Sequence, residues 1–373
     1  MNERPTMDAV VLREVGTPMG VEQLRMPVPS TGEVLIEVAA CGVCHTDLHV
    51  IEGGIGFPLP AVMGHEVSGR VLELGPGTQH AGVEVGDAVV GAFIMPCGQC
   101  RDCARGRDDL CEVFFVQNRL GGNLLDGSSR LASPAGERIS MYSMAGLAQY
   151  VVLPVTALAA LPDGMDVEAA AVLGCAGLTA YGAVRHAADL RSGESVAVIA
   201  VGGVGSNLVQ IAAALGARTV IAVDVDDDKL AAVADLGASA TVNSRTSDAH
   251  AAVMELTQGR GVDVAFEVLG HPDTFRQAVE LLAPGGRMVP VGLSSAGTTA
   301  SIEINHLVRR SLRIVPNYGG RTRADLPAVI DLAATGRLRY REVVSRRFSL
   351  AQADDAFAAL ARGEVRGRAL VIP

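Results

Sequence analysis

The sequence predicts an α/β protein in which a β-rich unit precedes a doubly wound parallel sheet of six strands. Three observations predict it. Roughly the first 155 residues hold short alternating runs split by glycine and proline. From about Ser195, short apolar runs alternate with helical patterns of ten or more residues. The last 45 residues return to mixed character, which predicts a tail packing back onto the first unit.

In the first unit, Asp8–Arg13 and Glu33–Ala39 read as strands. In the second of these, Val34, Ile36 and Val38 alternate with Glu33, Leu35 and Glu37, the period-2 signal of a half-buried strand. Val67–Leu74 and Asp87–Ala92 continue the pattern, punctuated by turns such as Gly75-Pro76-Gly77, and together predict a small, partly closed barrel or sandwich. Arg119–Met144, rich in glycine, serine and polar residues, reads as an extended surface loop. The parallel-sheet strands are Ser195–Ala200, Thr219–Val223, Thr241–Val242, Val262–Leu269, Arg287–Val291 and Leu312–Pro316. Helical patterns at Gly205–Leu215, Asp227–Leu236, His250–Thr257 and Pro272–Leu282 separate them, as in a dinucleotide-binding sheet. The tail holds helices at Ala324–Ala334 and Ser349–Ala361 and a closing strand at Arg366–Ile372.

Composition narrows the function. The chain has 373 residues, 49% of them hydrophobic and 19% charged, so it can bury a core. A net charge of -10 gives no general attraction to nucleic acid or anionic lipid, and 13 aromatics without tryptophan supply no base-stacking platform. No apolar run reaches the ~20 residues that span a bilayer. The opening MNERPTMDAV lacks an apolar core, so no secretory signal is expected and a reducing cytoplasm is the default compartment. Seven cysteines in such a compartment point to metal or redox chemistry more than to disulfides.

Two cysteine constellations stand out. Cys97, Cys100, Cys103 and Cys111 form a four-thiolate spacing suited to structural zinc, with an iron–sulfur cluster as the geometric alternative. Cys44-His45-Thr46-Asp47-Leu48-His49 is followed by Gly64-His65-Glu66 and, far downstream, by Cys175. Two thiolates and an imidazole would leave a coordination position open, as catalytic zinc requires. Cys41-Gly42-Val43-Cys44-His45 also matches the c-type haem attachment pattern, but that reading leaves His65, Glu66 and Cys175 without a role.

The segment Ser195–Gly205 runs from a strand into a helix. Gly202, Gly203, Val204 and Gly205 fit a phosphate-binding turn, with Ala200 where the first glycine is usual. Asp224 ends the next strand, 19 residues after Gly205, where an acid accepts hydrogen bonds from the adenosine ribose. Asp226, Asp227 and Asp228 would repel a 2′-phosphate, so NAD is favoured over NADP.

Over essentially its whole length the chain resembles the zinc-dependent alcohol dehydrogenases of the medium-chain dehydrogenase/reductase superfamily. The resemblance rests on the Cys44–His49 segment, Gly64-His65-Glu66, the four-cysteine lobe, Cys175 with Thr179, the Gly202–Gly205 turn and Asp224. It implies a GroES-like catalytic domain at 1–175, with its zinc lobe at 95–113 and completed by 320–373, and a Rossmann NAD-binding domain at 176–319. It implies catalytic zinc on Cys44, His65 and Cys175, with Glu66 beside the metal. Asp47 matches the acid that orients the ligand histidine. Thr46 matches the hydroxyl that meets the alcohol, and His49 the end of a proton relay. His45 matches a pyrophosphate contact, which makes NAD affinity pH-sensitive. Thr179, Lys229, Val291 and Arg368 fall at cofactor contacts, and Phe93 in the substrate pocket. The implied reaction is reversible oxidation of an alcohol to an aldehyde or ketone. Homodimers or homotetramers are implied, their Rossmann sheets paired edge to edge near Arg287–Ser294. A quinone or enoyl reductase of the same superfamily is a competing reading, although such relatives usually lack the metal ligands. A non-catalytic NAD-binding sensor is another.

Overall fold

The computed structural model describes residues 5–79 and 82–373; the first four residues of the N-terminal reading lie outside them. The chain forms two compact units. One is Met1–Leu178 with Arg321–Ala334 and Tyr340–Pro373; the other is Thr179–Gly320 with Thr335–Arg339.

The first unit carries strands β1 (Thr6–Leu12), β2 (Gly20–Arg25), β3 (Glu33–Val43), β4 (Ala61–Val62), β5 (Val67–Leu74), β6 (Ala88–Gly91), β7 (Leu131–Ala132), β8 (Arg138–Met141), β9 (Tyr150–Pro154) and β10 (Leu158–Ala160). One sheet has the order β2-β1-β4-β8-β7. β3 is longer than expected from alternation, because its far end, Cys41–Val43, is buried on both faces and no longer alternates. Arg119–Met144 is not a surface loop. A π-turn at Phe115–Leu120, β7 and β8 occupy it, and Leu124, Ile139, Met141, Tyr142 and Met144 are fully buried. Its glycines form turns between short buried segments: Gly122, Gly127 and Gly136 all have positive φ.

The second unit is a parallel sheet of β11 (Ser195–Ile199), β12 (Thr219–Asp224), β13 (Ala240–Asn243), β14 (Val262–Glu267), β15 (Leu282–Pro290) and β16 (Arg313–Ile314), in the order β13-β12-β11-β14-β15-β16. The strand order reverses between β11 and β14, the crevice where dinucleotides bind. Ala197, Ile199, Ile221, Val223, Val242 and Ala265 are among the core residues beneath the helices. β15 begins five residues before the apolar run because Pro284-Gly285-Gly286 sits in an irregular stretch, where Val262 pairs with Leu282 but Val264 with Arg287. The expected edge at Arg287–Ser294 is covered, since β16 lies beyond β15 and forms the free edge.

Arg287 is buried and holds Glu194 through two bonds of 2.6 and 2.8 Å. Burial would raise the Glu194 pKa, but Arg287 outweighs it and the carboxyl sits below its usual 4.5. A depressed folded pKa contributes stability that is present above the unfolded value and is lost as pH falls through the folded one. Glu194→Gln is therefore expected to cost about 1–3 kcal/mol at neutral pH. The gap between variant and wild-type melting curves should close as the pH drops below about 4.5. A gap that stays constant in acid would contradict this assignment.

The tail adds the helices Thr322–Ala334 and Ala353–Ala361 and strands β17 (Val344–Ser349) and β18 (Arg368–Ile372). Ser349 and Gln352 form a capping box before the second helix. β18 pairs antiparallel with β3, joining the tail to the sheet β10-β6-β5-β3-β18-β17 of the first unit, with β9 also on β3. No single helix among the described residues is long and apolar enough to cross a membrane.

Candidate active site

Strand register assembles the first cluster. Val43 pairs with Ala369 and Cys41 with Val67, so Cys44, Glu66 and Arg368 lie at adjoining strand ends. Gly42 makes room for Glu66: a Cβ there would lie 2.1 Å from its Oε2. Gly64 has φ 101°, and a Cβ would meet the Cys41 Sγ at 2.6 Å, so the turn that presents His65 requires glycine. Gly174 presses on the Gly91 carbonyl, where a Cβ would sit 1.8 Å away, and its own carbonyl accepts from Phe93 N–H. That contact brings Cys175 toward Phe93.

Cys44, His65, Glu66 and Cys175 are all buried and offer ligand atoms within 4.8 Å of one another. Asp47 fixes the imidazole: its Oδ2 lies 2.9 Å from His65 Nδ1, and its Oδ1 accepts from Gly64 N–H. That leaves Nε2 as the ligating nitrogen. A hydrogen bond from Cys175 holds the Cys44 thiol well below its usual pKa against the opposing effect of burial, and Arg368 and His65 add to the lowering. The same bond, with burial, pushes Cys175 up. Burial raises Glu66, whose Oε2 has no hydrogen-bond partner. Two thiols buried beside a carboxyl with an orphaned oxygen call for a divalent cation, and sulfur with imidazole selects zinc.

Arg368, expected at a cofactor contact, sits inside the cysteine–histidine cluster. It is 3% exposed, 3.0 Å from Glu66 Oε1, and donates to Cys44 Sγ at 3.5 Å. Thr46 Oγ1 lies 3.7 Å from Cys44 Sγ on the helix His45–Ile51, where His49 is half-buried and His45 exposed. The Phe93 ring stands 6.0 Å from His65. Sequence reading missed Tyr142, 6.1 Å from His65, and Phe57, 4.9 Å from Tyr142, because Tyr142 lay in the supposed loop.

In the lobe, the four sulfurs also lie within 4.8 Å of one another, with Cys97–Cys103 and Cys100–Cys111 at 4.0 Å. A disulfide needs ~2.05 Å, whereas a zinc tetrahedron with ~2.3 Å bonds has edges of about 3.8 Å. Backbone N–H groups of Cys97, Cys100 and Phe114 donate to these sulfurs, as thiolate ligands require.

In the second unit, Ala200 has φ 70°, a conformation that favours glycine, consistent with its replacing the usual first glycine. Gly205 packs on the Ala200 carbonyl, where a Cβ would lie 2.1 Å away, and the helix Gly203–Ala214 opens at Gly202. Asp224 Oδ2 accepts from Val201 N–H, so turn and strand end are locked together. Lys229 follows on the helix capped by Asp226. Thr179 is buried, its carbonyl held by Asn317, and Val291 N–H donates to the Glu267 carbonyl.

Residues 30–163 match the alcohol dehydrogenase GroES-like domain and residues 203–335 the zinc-binding dehydrogenase model. An alcohol dehydrogenase of Geobacillus stearothermophilus is 33% identical over 97% of this chain and 98% of its own length. A zinc-binding alcohol dehydrogenase domain protein from Burkholderia ambifaria superposes with TM-score 0.93 at 33% identity, covering 99% of each chain. Benzyl alcohol dehydrogenase from Acinetobacter calcoaceticus gives 0.91 at 28% identity, also over 99% of each. Two clusters of zinc-binding geometry in one unit, a dinucleotide turn in the other and near-complete coverage by these relatives agree: the chain belongs to the zinc-dependent alcohol dehydrogenase family of the medium-chain dehydrogenase/reductase superfamily.

Proposed function

We propose that the protein catalyses reversible NAD-linked oxidation of an alcohol to an aldehyde or ketone, with two zinc ions per chain. The observation that carries this reading is the convergence of Cys44, His65, Glu66 and Cys175 within 4.8 Å. Cys44, His65 and Cys175 would hold the catalytic zinc with Glu66 beside it, and Cys97, Cys100, Cys103 and Cys111 the structural one. When bound, the catalytic zinc supplies Lewis acidity that lowers the pKa of the substrate hydroxyl. Asp47 orients His65, and Phe93 and Tyr142 wall the space beside it. Thr46 Oγ1 takes the hydroxyl proton, and His49 passes it to solvent. The Gly202–Gly205 turn, Asp224, Lys229, Thr179 and Val291 would hold NAD, with His45 as a further cofactor contact, and NAD when bound would supply the hydride acceptor. In this reading 1–175 with 320–373 is the catalytic domain and 176–319 binds NAD.

A second copy is the expected partner at the β16 edge; on the helix Ile304–Arg309 that precedes it, Ile304 and Val308 are 75% and 70% exposed. The cytoplasm is the expected compartment. Metal analysis joined to an NADH-formation assay over an alcohol panel tests the reading. Two zincs per chain with alcohol-dependent NADH support it; reduction of activated alkenes without metal would replace it. Asp224→Gly is expected to weaken NAD binding about tenfold, the scale of one charged hydrogen bond, while leaving NADP less affected. Equal loss for both cofactors in a titration would remove Asp224 from the ribose site.

A further inference from the structure

The parallel sheet has a second recess, at the strand ends opposite the nucleotide turn. A cavity of about 280 Å³ opens there, and four guanidiniums line it: Arg191, Arg260, Arg287 and Arg313. Glu194 precedes β11, Arg260 and Asp263 flank the start of β14, and Arg313 opens β16. The Gly202–Gly205 turn instead follows the far end of β11. Strand register pairs Arg313 with Arg287, which sets the two side chains on one face of the sheet.

The four are not equally committed. Arg287 is buried and donates to Glu194 and to the carbonyls of Ala188, Asp189 and Asp263, so it is a fixed floor. Arg260 is exposed and gives one bond, of 3.0 Å, to Asp263 Oδ1. Arg191 comes only within 3.9 Å of Asp189, with both side chains exposed, and such pairs are weak. Arg313 is exposed and has no hydrogen bond or ion pair to any described residue. A guanidinium carries five N–H donors, so most of those on the three outer arginines are open to a ligand. Three carboxylates share the cavity: Asp189, Glu194 and Asp263. Arg287 takes Glu194, and Asp263 Oδ2 accepts from the N–H and the hydroxyl of Ser195, both at 2.8 Å. The lining keeps one positive charge in excess, within a chain of net charge -10. Its only apolar side chains are Ala188 and Pro284, which suits no apolar ligand. The volume falls just short of the ~300–1,000 Å³ usual for small-molecule sites, so the ligand is compact.

We propose that this cavity is a second ligand site, for a compact oxyanion of two or more negative charges, a diphosphate or a polycarboxylate. Guanidinium forks pair with both groups in the same bidentate way. Arg260 and Arg313 supply the bonds, Arg191 adds charge, and Arg287 stays with Glu194. Because the cavity and the nucleotide turn lie at opposite strand ends, the anion and NAD bind together rather than compete. None of these residues belongs to the zinc or nucleotide clusters, so the site stands apart from the alcohol-oxidation reading.

Calorimetry on the zinc-loaded full chain, with and without saturating NAD, compares sodium pyrophosphate with citrate at constant ionic strength. At least one of the two is expected to bind with a Kd of about 1 mM or tighter, equally in both conditions and more weakly as salt rises. Tighter pyrophosphate identifies a phosphate ligand and tighter citrate a carboxylate one. Arg313→Gln and Arg260→Gln should each weaken binding at least about tenfold, the loss of one hydrogen bond to a charged group. Arg313→Lys should lose less, and Arg313→Glu should abolish binding. NADH formation in the absence of the anions should be unchanged in all four variants. A Kd weaker than about 1 mM for both anions overturns the proposal. So does binding that NAD abolishes, which places the anion on the nucleotide turn. Heat that Arg313→Gln and Arg260→Gln both leave within about twofold of wild type overturns it too, since zinc chelation and any site elsewhere would give that result.

Discussion

Cys175→Ser is expected to release one zinc per chain and to lower kcat/KM by at least about a thousandfold, since Lewis-acid stabilisation is worth several kcal/mol and each 1.36 kcal/mol is tenfold. Serine nearly conserves volume, so the buried packing around Gly174 and Phe93 should survive. What changes is the ligand. An alcohol oxygen does not ionise at neutral pH, so serine offers zinc a neutral oxygen where cysteine offers a thiolate. The lobe sulfurs belong to a separate cluster, so their zinc should remain, and nicotinamide binding measured by fluorescence titration should be retained. A variant that keeps both metals and turns over alcohol at the wild-type rate would mean that Cys175 is not a ligand.

The parallel sheet was largely legible in the sequence because a strand buried on both faces reads as an unbroken apolar run. Ser195–Ile199, Thr219–Asp224 and Val262–Glu267 are such runs, each broken within two residues of where the apolar stretch ends. The lobe was legible for a different reason: thiolate ligands held on a short loop must be close in sequence. Misreadings fell where a long-range neighbour decides the outcome. Arg119–Met144 has a surface-loop composition, but Leu124, Ile139, Met141, Tyr142 and Met144 within it are fully buried. Leu282–Gly286 has no strand signature and joins β15 only because Val262 offers a pairing partner. The neighbours of Arg368, Glu66 and Cys44, follow from the register of β18 on β3, which no local pattern encodes.

Arg368→Met tests that last placement, and it is expected to destabilise the protein by about 3–5 kcal/mol, the scale for removing one partner of a buried ion pair. Burial opposes the charge of Arg368, but Glu66, Cys44 and Cys175 outweigh it and hold the guanidinium more firmly protonated than usual. With zinc bound, two thiolates and the Glu66 carboxylate carry three negative charges. The dication and Arg368 would together carry three positive ones, which offset these three. Methionine keeps an unbranched stem but removes the guanidinium and its balancing charge, leaving Glu66 buried and unpaired. The site then recovers in part if Glu66 binds a proton. Adding Glu66→Gln to Arg368→Met removes the orphaned charge, so the double variant should be more stable than Arg368→Met alone. Denaturant melts at matched zinc content supply the cycle. Strict additivity of the two substitutions would show that the 3.0 Å contact carries no coupling, and Arg368 would then act elsewhere.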